Sequence, residues 1–383
     1  MTRRLVILTE IIAPYRIPVF NSLAARGDVH LHVIFLSEND PSLRQWHVYK
    51  DEIKFSYEVL PSWRRRIGKY NALLNSGVGA ALSRALPDAV LCGGYSYLAS
   101  WQAAFWAKRH GVPLLLWSES TALDIRRKHH LVEWFKRKFR KRCQAFVAAG
   151  KTSRDYLLAL GASSSSIFIA PDAVDIRFFA ASAEKARHQE REIRARNQLP
   201  SRYYLYAGRL VKEKGVFELL DAYAKLEASV RSRISLVFVG DGPVRRELMR
   251  RAAEVEQGVV RFCGWVHREQ IPEIYAFADA FVFPTHSDPW GLVVNEAMAC
   301  SLPIVASQVA GCVPDLLQDG WNGFAVQPRE VEGLVRSMKI LFDDPELARQ
   351  MGSRSFQRIQ DYTPERCAAG IVQALAFVSG EPA

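Results

Sequence analysis

The sequence contains no long apolar run of the kind that crosses a membrane. Its longest stretch without a charged residue, Ala89 to Ala107, includes two adjacent glycines, a glutamine and two tyrosines. These residues favour a strand, a turn and a buried helix over a membrane span. The opening Met1-Thr-Arg-Arg leads into only a short apolar strand, which argues against a signal peptide. We therefore expect a cytoplasmic protein.

Cysteine and glycine patterns exclude several further classes. The 6 cysteines include no C-x-x-C pair, so neither a zinc site nor a disulfide framework is indicated, and no metal ion or cofactor is expected. Residues 150–152 (GKT) resemble the end of a P-loop, but the first glycine of that motif would fall on Ala145. Residues 77–82 (GVGAAL) lack the last glycine of a dinucleotide-binding turn. ATP hydrolysis and NAD chemistry are therefore not supported.

Positive charge is in excess, and all of the excess lies in the first half. The net charge is +11. Residues 1–175 contain 25 Lys and Arg against 14 Asp and Glu, whereas the remainder is balanced at 26 of each. We expect the first half to face something anionic, which leaves a phospholipid surface, a pyrophosphate-bearing substrate and a nucleic acid open.

Short apolar runs alternate with helix-length segments along the chain, whose 383 residues suffice for two domains. Near-continuous apolar runs are typical of strands buried on both faces of a parallel sheet. Such runs occupy 5–10, 31–36, 89–94, 113–120, 145–150, 166–171, 203–210, 235–242, 259–266, 280–285, 303–307 and 323–328. The alternation predicts an α/β fold with one doubly wound parallel sheet in each half.

Composition also predicts the domain boundaries. We expect a first domain over 1–178, a polar linker over 179–200, a second domain over 201–362, and a C-terminal helix over 363–383 that packs back on the first domain. In open α/β sheets ligands bind outside the carboxyl ends of the strands. The candidate residues that follow strands are therefore the ones to consider.

Two cations follow the first strand of the second half. Arg209 and Lys214 lie on one loop, ahead of a helix predicted to begin at Val216. A guanidinium, an ammonium and the free N–H groups of a helix N-terminus all favour the same anion, which predicts a diphosphate site. The alternative is a pair of solvated basic residues in a surface loop.

The segment Ser287 to Glu296 (SDPWGLVVNE) places a carboxylate in an otherwise apolar helix. A buried charged carboxylate is costly without hydrogen-bond donors, and the hydroxyls of a ribose would supply them to Glu296. Gly291 permits close approach to the backbone, and the first N–H groups of the helix can bind an anion. Asp288, held before the helix by a proline, is expected to meet a sugar.

Taken together, these motifs resemble the donor half of the retaining family 4 glycosyltransferases, which have the GT-B fold. The matching elements, in order over Tyr203 to Val326, are G-R-L-x-x-x-K-G, V-G-D-G-P, an acid separated by seven residues from a glutamate, and A-M-A-C-x-L-P-I-V-A-S. The rest of the chain agrees by strand pattern alone. The resemblance implies two doubly wound Rossmann-like domains that face each other across a cleft, with the first domain binding the acceptor and the second binding the nucleotide-sugar donor.

The resemblance assigns most of these residues to a nucleotide-sugar donor. Arg209 and Lys214 would hold the diphosphate, and Glu296 the ribose. The other donor residues, for phosphate and base, would be Trp290, Gly291, Leu292, Val293, Gly264 and Val266. Two positions depart from the family: Asp288 replaces the first glutamate, which faces the donor sugar, and Ser301 replaces a glycine.

The family transfers the sugar with retention of configuration and needs no metal, so the resemblance implies that cations at the leaving diphosphate do much of the catalysis. UDP-sugars and GDP-mannose both remain open as donors. The expected acceptor is a glycan or a polyprenyl-diphosphate-linked glycan in surface polysaccharide biosynthesis. A nucleotide-sugar epimerase or hydrolase of the same fold is the alternative. No nucleic-acid partner is expected, because no recognised binding module is present.

The first half offers three candidates. Relatives carry a histidine near the donor sugar where this chain has Glu119, which we expect to replace it catalytically; the alternative is a surface acid that caps the next segment. Arg16 begins a helix where relatives have a glycine-rich phosphate loop, and it either binds phosphate or is solvated. Tyr95 follows two glycines at a strand end and is a candidate for stacking on an acceptor sugar.

The basic excess concentrates between Arg126 and Cys143, with nine Lys and Arg and one acid. At helical spacing one side of this segment collects four apolar residues, Leu131, Trp134, Phe135 and Phe139. Two interpretations remain open. Either these residues pack on the sheet, or the helix lies on the anionic inner face of the cytoplasmic membrane. In the second case residues 63–69 would contribute to the same membrane-facing surface.

Overall fold

The computed structural model describes residues 2–40, 47–67, 70–122, 130–256 and 258–380, without the side chains of 65–67, 70–72 and 130–132. The chain divides into two compact units. One consists of Met1–Val174 together with Tyr362–Ala383, and the other of Asp175–Asp361.

The first unit is built on a parallel sheet. Its strands are β1 (Arg3–Thr9), β2 (Val29–Phe35), β3 (Ser56–Val59), β4 (Ser62–Ile67), β5 (Tyr70–Asn75), β6 (Ala89–Cys92), β7 (Leu114–Ser118), β8 (Ala145–Ala148) and β9 (Ile167–Ile169). Its helices up to residue 174 are α1 (Ile17–Ala24), α2 (Val78–Ala85), α3 (Leu98–His110), α4 (His130–Arg140) and α5 (Lys151–Ala159). Among the described residues the sheet has 7 strands in the order β3-β2-β1-β6-β7-β8-β9, while β4 and β5 form a separate antiparallel pair.

Alternating side chains of β1 show why the apolar runs are continuous. Leu5 and Ile7 pack into the core on one face of the sheet, together with α1. Val6 and Leu8 pack into the core on the other face, with α2 and α3. A strand covered on both sides has no position left for polar residues, so its sequence reads as an uninterrupted apolar run.

The region 56–85 was not predicted from the sequence. It contains β3, the antiparallel pair β4 and β5, and α2. The β4 sequence, SWRRRI, is charged because this strand lies outside the buried sheet, so the apolar signature of a core strand is missing. Strand β3 is short and forms one edge of the sheet, where it pairs with β2.

The second unit contains a parallel sheet of its own. Its strands are β10 (Tyr203–Ala207), β11 (Ser235–Val239), β12 (Val260–Gly264), β13 (Ala280–Phe283), β14 (Ile304–Ser307) and β15 (Gly323–Val326). Its helices are α6 (Ile176–His188), α7 (Glu190–Asn197), α8 (Val216–Lys225), α9 (Ala228–Arg231), α10 (Arg245–Ala252), α11 (Ile271–Tyr275), α12 (Leu292–Ala299), α13 (Val313–Leu316), α14 (Val331–Asp343) and α15 (Pro345–Ile359). The strand order within the described residues is β12-β11-β10-β13-β14-β15. The order reverses between β10 and β13, and ligands of such sheets bind beyond the carboxyl ends of strands at this switch point.

The segment expected as a linker, 179–200, forms the helices α6 and α7 of the second unit instead. Helix α6 begins before that segment, and its buried residues Ile176, Phe179, Ala183 and Ala186 recur at helical spacing. Its last turn is held by Arg187, whose guanidinium donates to the carbonyls of Ala276 at 3.3 Å and Cys300 at 2.7 Å. The polar composition belongs to the solvent-exposed face of these packed helices, and one apolar anchor, Ile176, lies just upstream of the expected range.

The last helix, α16 (Pro364–Val378), belongs to the first unit, where it packs against α1, β8 and β9. Its buried residues, among them Ile371 and Leu375, complete the core on the α1 face of the sheet. Within the described part of the chain, no helix combines the length and the apolar composition that a membrane span requires.

Candidate active site

Two loops meet beyond the carboxyl ends of β10 and β13 in the second unit. The backbone N–H of His286 donates to the carbonyl of Glu213 at 2.8 Å, and the Thr285 hydroxyl donates to the same carbonyl at 3.1 Å. Gly215 ends the first loop with φ +67°, and a side-chain carbon there would overlap the carbonyl oxygen of Pro284. Only glycine permits both this backbone conformation and this approach, so the glycine of the G-R-L-x-x-x-K-G motif holds the two loops together.

Lys214 and Asp288 are brought together by this contact. The Lys214 ammonium donates to the Asp288 carboxylate and also lies 3.4 Å from the carbonyl of Ser287. The side chains are mostly buried, with 18% and 17% of their surfaces exposed. Arg209, on the same loop, is exposed; its carbonyl accepts from the Tyr206 hydroxyl at 2.9 Å, but its guanidinium has no hydrogen bond or ion pair within the described part of the chain. The sequence-predicted cations therefore share a loop, with one of them already paired.

Helix α12 begins at Leu292, four residues after Asp288. Gly291 precedes it with φ +102°, and no side chain of the described residues caps its first N–H groups, which belong to Leu292 and Val293. A side-chain carbon at Gly291 would come within 2.8 Å of the Phe283 ring. The helix start is thus a set of unpaired N–H groups at the positive end of a helix dipole, which suits an anion.

Trp290 differs from its predicted role as a donor contact. Its side chain is buried, and its indole N–H donates to the Asn295 amide oxygen at 2.9 Å. Its backbone N–H donates to Asp288 Oδ1 at 3.1 Å. Trp290 therefore anchors the turn that orients Asp288 and opens α12, and its indole is not exposed to a ligand.

Glu296 lies one turn into α12 and is partly buried. Its Oε2 accepts a hydrogen bond from the Tyr275 hydroxyl at 3.0 Å. Burial raises the pKa of Glu296 to about 7, while the Tyr275 hydrogen bond and the charge of Arg268 act in the opposite direction. The carboxylate therefore has a protein partner that the sequence did not reveal, in addition to any ribose.

Two residues beyond β12 were predicted to flank the base. Gly264 has φ +70° and its carbonyl accepts the N–H of Gly240 at 2.7 Å, which ties this strand end to the end of β11. Val266 is partly buried, and the Trp265 side chain before it is 42% exposed. The base contacts remain a prediction.

In the first unit, the candidates Arg16 and Glu119 lie against each other. The Arg16 guanidinium donates to the Glu119 carboxylate and lies 4.0 Å from the centre of the Trp117 ring. Arg16 is only 13% exposed and Glu119 is 36% exposed. Neither is a freely solvated surface group. Arg16, however, is engaged by a carboxylate in this structure, which differs from a cation held free for phosphate.

Tyr95 lies close to two other polar groups of the first unit. Its hydroxyl is 3.0 Å from the Ser120 hydroxyl, and the Lys136 ammonium lies 5.7 Å from the centre of its ring. Lys136 is itself buried and donates to Glu133 at 2.8 Å and to the Tyr156 hydroxyl. Tyr95 is partly buried, so its predicted stacking on a sugar remains a prediction.

Helix α4 does not present its apolar residues as one packed side. Phe139 is fully buried, but Trp134 and Phe135 are 48% and 51% exposed, and Lys136 takes a buried position between them. The inward position of Lys136 is explained by its partners Glu133 and Tyr156, which satisfy its charge. Residues 126–129 lie outside the described residues, as do the side chains of His130, Leu131 and Val132.

Tyr275 and Arg268 were not predicted from the sequence as residues of the site. Tyr275 ends α11, a helix that the sequence predicts, but a tyrosine there is indistinguishable from an ordinary core residue. Arg268 lies in the loop before α11 and its charge acts on Glu296 from outside the recognised motifs. Only the three-dimensional structure brings them to the carboxylate.

Comparisons with protein families agree with this arrangement. The model "Glycosyl transferase 4-like domain" matches residues 18–173, and the model "Glycosyl transferases group 1" matches residues 189–358. Together they cover most of both units.

Curated relatives resemble part of the chain. It is 29% identical over 220 residues to a sulfoquinovosyl transferase of Arabidopsis thaliana, covering 56% of this chain and 41% of that protein. It is 36% identical over 167 residues to the D-inositol 3-phosphate glycosyltransferase of Streptomyces griseus, covering 41% of this chain and 35% of that protein. The chain thus matches less than half the length of each of these relatives.

Solved structures resemble the whole fold. The crystal structure of Anabaena HepE in complex with UDP matches 98% of this chain and 100% of its own, with a TM-score of 0.77 and 19% identity. Sucrose-phosphate synthase of Thermosynechococcus elongatus matches 98% and 99%, with a TM-score of 0.75 and 19% identity. The predicted pair of Rossmann-like sheets is thereby confirmed. The chain belongs to the glycosyltransferases with the GT-B fold, with a glycosyl transferase 4-like first half and a glycosyl transferases group 1 second half.

Proposed function

We propose that the protein is a retaining glycosyltransferase that moves a sugar from a UDP-sugar or GDP-mannose to a glycan or lipid-linked glycan. One observation carries this proposal: the Lys214–Asp288 pair lies next to the uncapped start of α12, and Glu296 follows in the same helix. A cation, free backbone N–H groups and an isolated carboxylate are what a diphosphate and a ribose require of one site.

The donor is proposed to bind across these groups. Lys214 and the exposed Arg209 pair with the diphosphate, the N–H groups of Gly291, Leu292 and Val293 donate to phosphate oxygens, and Glu296 accepts from the ribose. Gly264 and Val266 flank the base. UDP is bound to Anabaena HepE, which has the same fold, and this makes a uridine nucleotide the first candidate to test.

Two anions, the Asp288 carboxylate and the donor diphosphate, compete for Lys214. In the free protein it donates to Asp288. A diphosphate carries more charge than one carboxylate, so its arrival is expected to draw Lys214 away and release Asp288 toward the donor sugar. Asp288 is shorter by one methylene than the glutamate of the family, and its contact with Trp290 N–H fixes where that shorter side chain can reach.

The chemical step breaks the bond between the anomeric carbon and the diphosphate oxygen and forms a bond from the acceptor hydroxyl oxygen on the same face of the sugar. The acceptor proton passes to an oxygen of the leaving diphosphate. Arg209 and Lys214 stabilise the negative charge as it develops on that group, which lowers the barrier because the cations are already in place. The proposal includes no metal ion or cofactor.

In the first unit, Glu119 is proposed to take the role that a histidine has toward the donor sugar in relatives. Its ion pair with Arg16 supports an ordered carboxylate, because the guanidinium is itself held over the Trp117 ring. Tyr95 is proposed to stack on an acceptor sugar. In this proposal Arg16 orients Glu119, and it binds phosphate only when the Arg16–Glu119 ion pair breaks.

The acceptor is proposed to be lipid-linked, with the enzyme peripheral on the inner face of the cytoplasmic membrane. Trp134 and Phe135 of α4 are half exposed, and the Lys138 ammonium lies 3.7 Å from the centre of the Trp134 ring. Exposed aromatic side chains beside cations favour the headgroup region of an anionic bilayer. Of the other residues expected on this surface, Trp63 is exposed whereas Arg64 is paired with Asp40.

The test is a two-step assay. Thermal-shift measurements with UDP, GDP and a panel of their sugars identify the donor, since a bound ligand raises stability with the logarithm of its concentration. The selected donor is then supplied with glycan and lipid-linked acceptors. A glycosylated product with the donor's anomeric configuration supports the proposal, whereas nucleotide release without product under every acceptor favours an epimerase or hydrolase.

A further inference from the structure

The contact between Tyr275 and Glu296 links a core residue to the nucleotide site. Tyr275 has no exposed surface, and its ring packs against Phe179 at 6.4 Å and Phe281 at 5.7 Å between ring centres. Its hydroxyl has Glu296 Oε2 as acceptor at 3.0 Å. The ring is therefore fixed by packing, and the direction of the hydroxyl is fixed with it.

Several charged and titratable groups surround this pair. Arg268, in the loop before α11, favours the charged form of Glu296. Cys300, which follows the last residue of α12, is buried, and Arg187 of α6 lies close enough to influence it. Tyr206 of β10 is close enough to Tyr275 to disfavour charge there. Tyr275 donates a hydrogen bond to the carboxylate of Glu296.

We propose that Tyr275 is a positioning residue for nucleotide binding: its hydroxyl holds Oε2 of Glu296 and turns Oε1 toward the two hydroxyls of the ribose. This inference rests on the proposed function, because it assumes that Glu296 binds a ribose. Its physical basis is the rigid placement of one donor on one carboxylate oxygen, which leaves the other oxygen with a defined direction.

The same hydrogen bond has a measurable consequence for protonation. The ribose hydroxyls bind most strongly to a charged carboxylate. Burial raises the pKa of Glu296 to about 7, and the Tyr275 hydrogen bond opposes this rise. Removing the hydroxyl should therefore move the protonation of Glu296 to higher pH, by about one unit for a hydrogen bond to a charged group.

The experiment measures UDP and GDP binding by titration calorimetry from pH 6 to pH 9 in the full-length protein. The wild type should bind more weakly as the pH falls through about 7. Tyr275→Phe should show the same fall about one pH unit higher, so that its affinity is reduced about fivefold at pH 7 and almost unchanged at pH 9. A loss of packing alone would weaken binding equally at every pH.

Two control variants isolate the effect. Glu296→Gln removes the carboxylate and shows how much of the pH dependence belongs to the terminal phosphate of the ligand, which titrates near pH ~6. Tyr204→Phe removes another buried tyrosine hydroxyl of the same unit, which donates to the carbonyl of Met338 at 2.7 Å. Tyr204→Phe should leave the pH midpoint of nucleotide binding where it is in the wild type.

A second substitution keeps the test decisive if Tyr275→Phe folds poorly. Site-specific 3-fluorotyrosine at Tyr275 is nearly the same size and donates more strongly, so it should move the midpoint to lower pH. If the pH midpoint of nucleotide binding stays at the wild-type value in both Tyr275 variants, the inference about Tyr275 is overturned and the proposed function is unaffected. A wild type that binds neither UDP nor GDP at any pH would overturn the proposed function, and this inference with it.

Discussion

The carboxyl ends of the strands are organised differently in the two units. In the second unit, the loops after β10 and β13 are joined through their backbones, and glycine at Gly215 is what lets them approach. In the first unit, the corresponding candidates are held by their side chains, with Arg16 paired to Glu119 over the ring of Trp117. The loops of the second unit are joined mainly through backbone contacts, with the Lys214–Asp288 ion pair in addition, whereas in the first unit a side-chain ion pair makes the contact.

This difference explains what each end can do. A site made of N–H groups and a glycine-dependent contact suits a constant ligand part, such as a diphosphate, because its geometry does not depend on side-chain rotamers. A site made of paired side chains can be changed by single substitutions, because its geometry depends on both partners. The departures from the family pattern at Glu119 and Arg16 lie in this second kind of site.

The largest effect is expected at the backbone-built end. Lys214→Ala should lower kcat/KM for the donor by about 100-fold or more, because a preorganised cation at the developing charge is lost. Lys212→Ala is the matched control, since Lys212 is an exposed cation of the same loop, and it should stay within about threefold of the wild type. Steady-state kinetics of both variants measure the comparison. Equal effects would show that general positive charge, and not the position of Lys214, matters.

Glycine substitutions compare the two units directly. Gly215→Ala should lower the free energy of unfolding by about 3 kcal/mol, because it combines left-handed strain with overlap at the Pro284 carbonyl. Gly77→Ala, in the first unit, has φ +83° but open space around its side chain, so about 1 kcal/mol is expected from strain alone. Urea unfolding measures both. Similar losses would remove the close approach as the special feature of the second unit.

The effect of pH on the free energy of unfolding is expected to differ between substitutions at Glu296 and at Glu119. The pKa of Glu296 is raised to about 7 from 4.5, so the folded state holds its proton more tightly than the unfolded state does. Its contribution to stability is therefore present below pH 4.5 and is lost as the pH rises through about 7. Glu296→Gln should be more stable than the wild type at pH 8, by on the order of 2 kcal/mol, and close to it at pH 4.5.

Chemical denaturation at the two pH values measures this change, and Glu119→Gln is the control. No comparable gain at pH 8 is expected from Glu119→Gln, because its carboxylate is paired with Arg16 and more exposed. A stability difference between Glu296→Gln and wild type that does not vary with pH would contradict the account of Glu296.

The smallest of these effects is expected at the side-chain-built end. Glu119→Gln should lower kcat by about tenfold and leave donor affinity almost unchanged, since it removes a charge near the reaction without touching the diphosphate site. Product formation at saturating donor measures kcat, and calorimetric titration with nucleotide measures affinity. Near-normal turnover would remove Glu119 from the catalytic set.

Membrane attachment can be tested on the same unit. Replacement of both Trp134 and Phe135 by Ser should reduce sedimentation with anionic vesicles by about tenfold at low salt. The paired change Leu98→Ser and Phe105→Ser removes exposed apolar side chains of α3 and serves as a control for general stickiness. Absence of lipid-dependent sedimentation by the wild type would contradict the proposed attachment.

The sequence predicts the strands of both parallel sheets except β3, because burial on both faces leaves a continuous apolar run, as in β1. It also predicts the Lys214, Asp288 and Glu296 set, since glycines and acids at fixed spacing reveal a loop and a helix start. Helix α6 was mistaken for a linker because Ile176 lies before the polar segment 179–200 and Phe179 lies at its first position, so the segment itself contains few apolar anchors. Contacts across the chain, such as Arg16 with Glu119 and Tyr275 with Glu296, have no local signature.

The most direct test of the account is a crystal structure of the protein with whichever of UDP and GDP raises its melting temperature. We expect diphosphate oxygens within about 3 Å of Lys214 Nζ and of the N–H groups at the start of α12, and ribose hydroxyls that donate to the Glu296 carboxylate. Electron density for the nucleotide elsewhere, with Lys214 still paired to Asp288 and Glu296 bonded only to Tyr275, would contradict it.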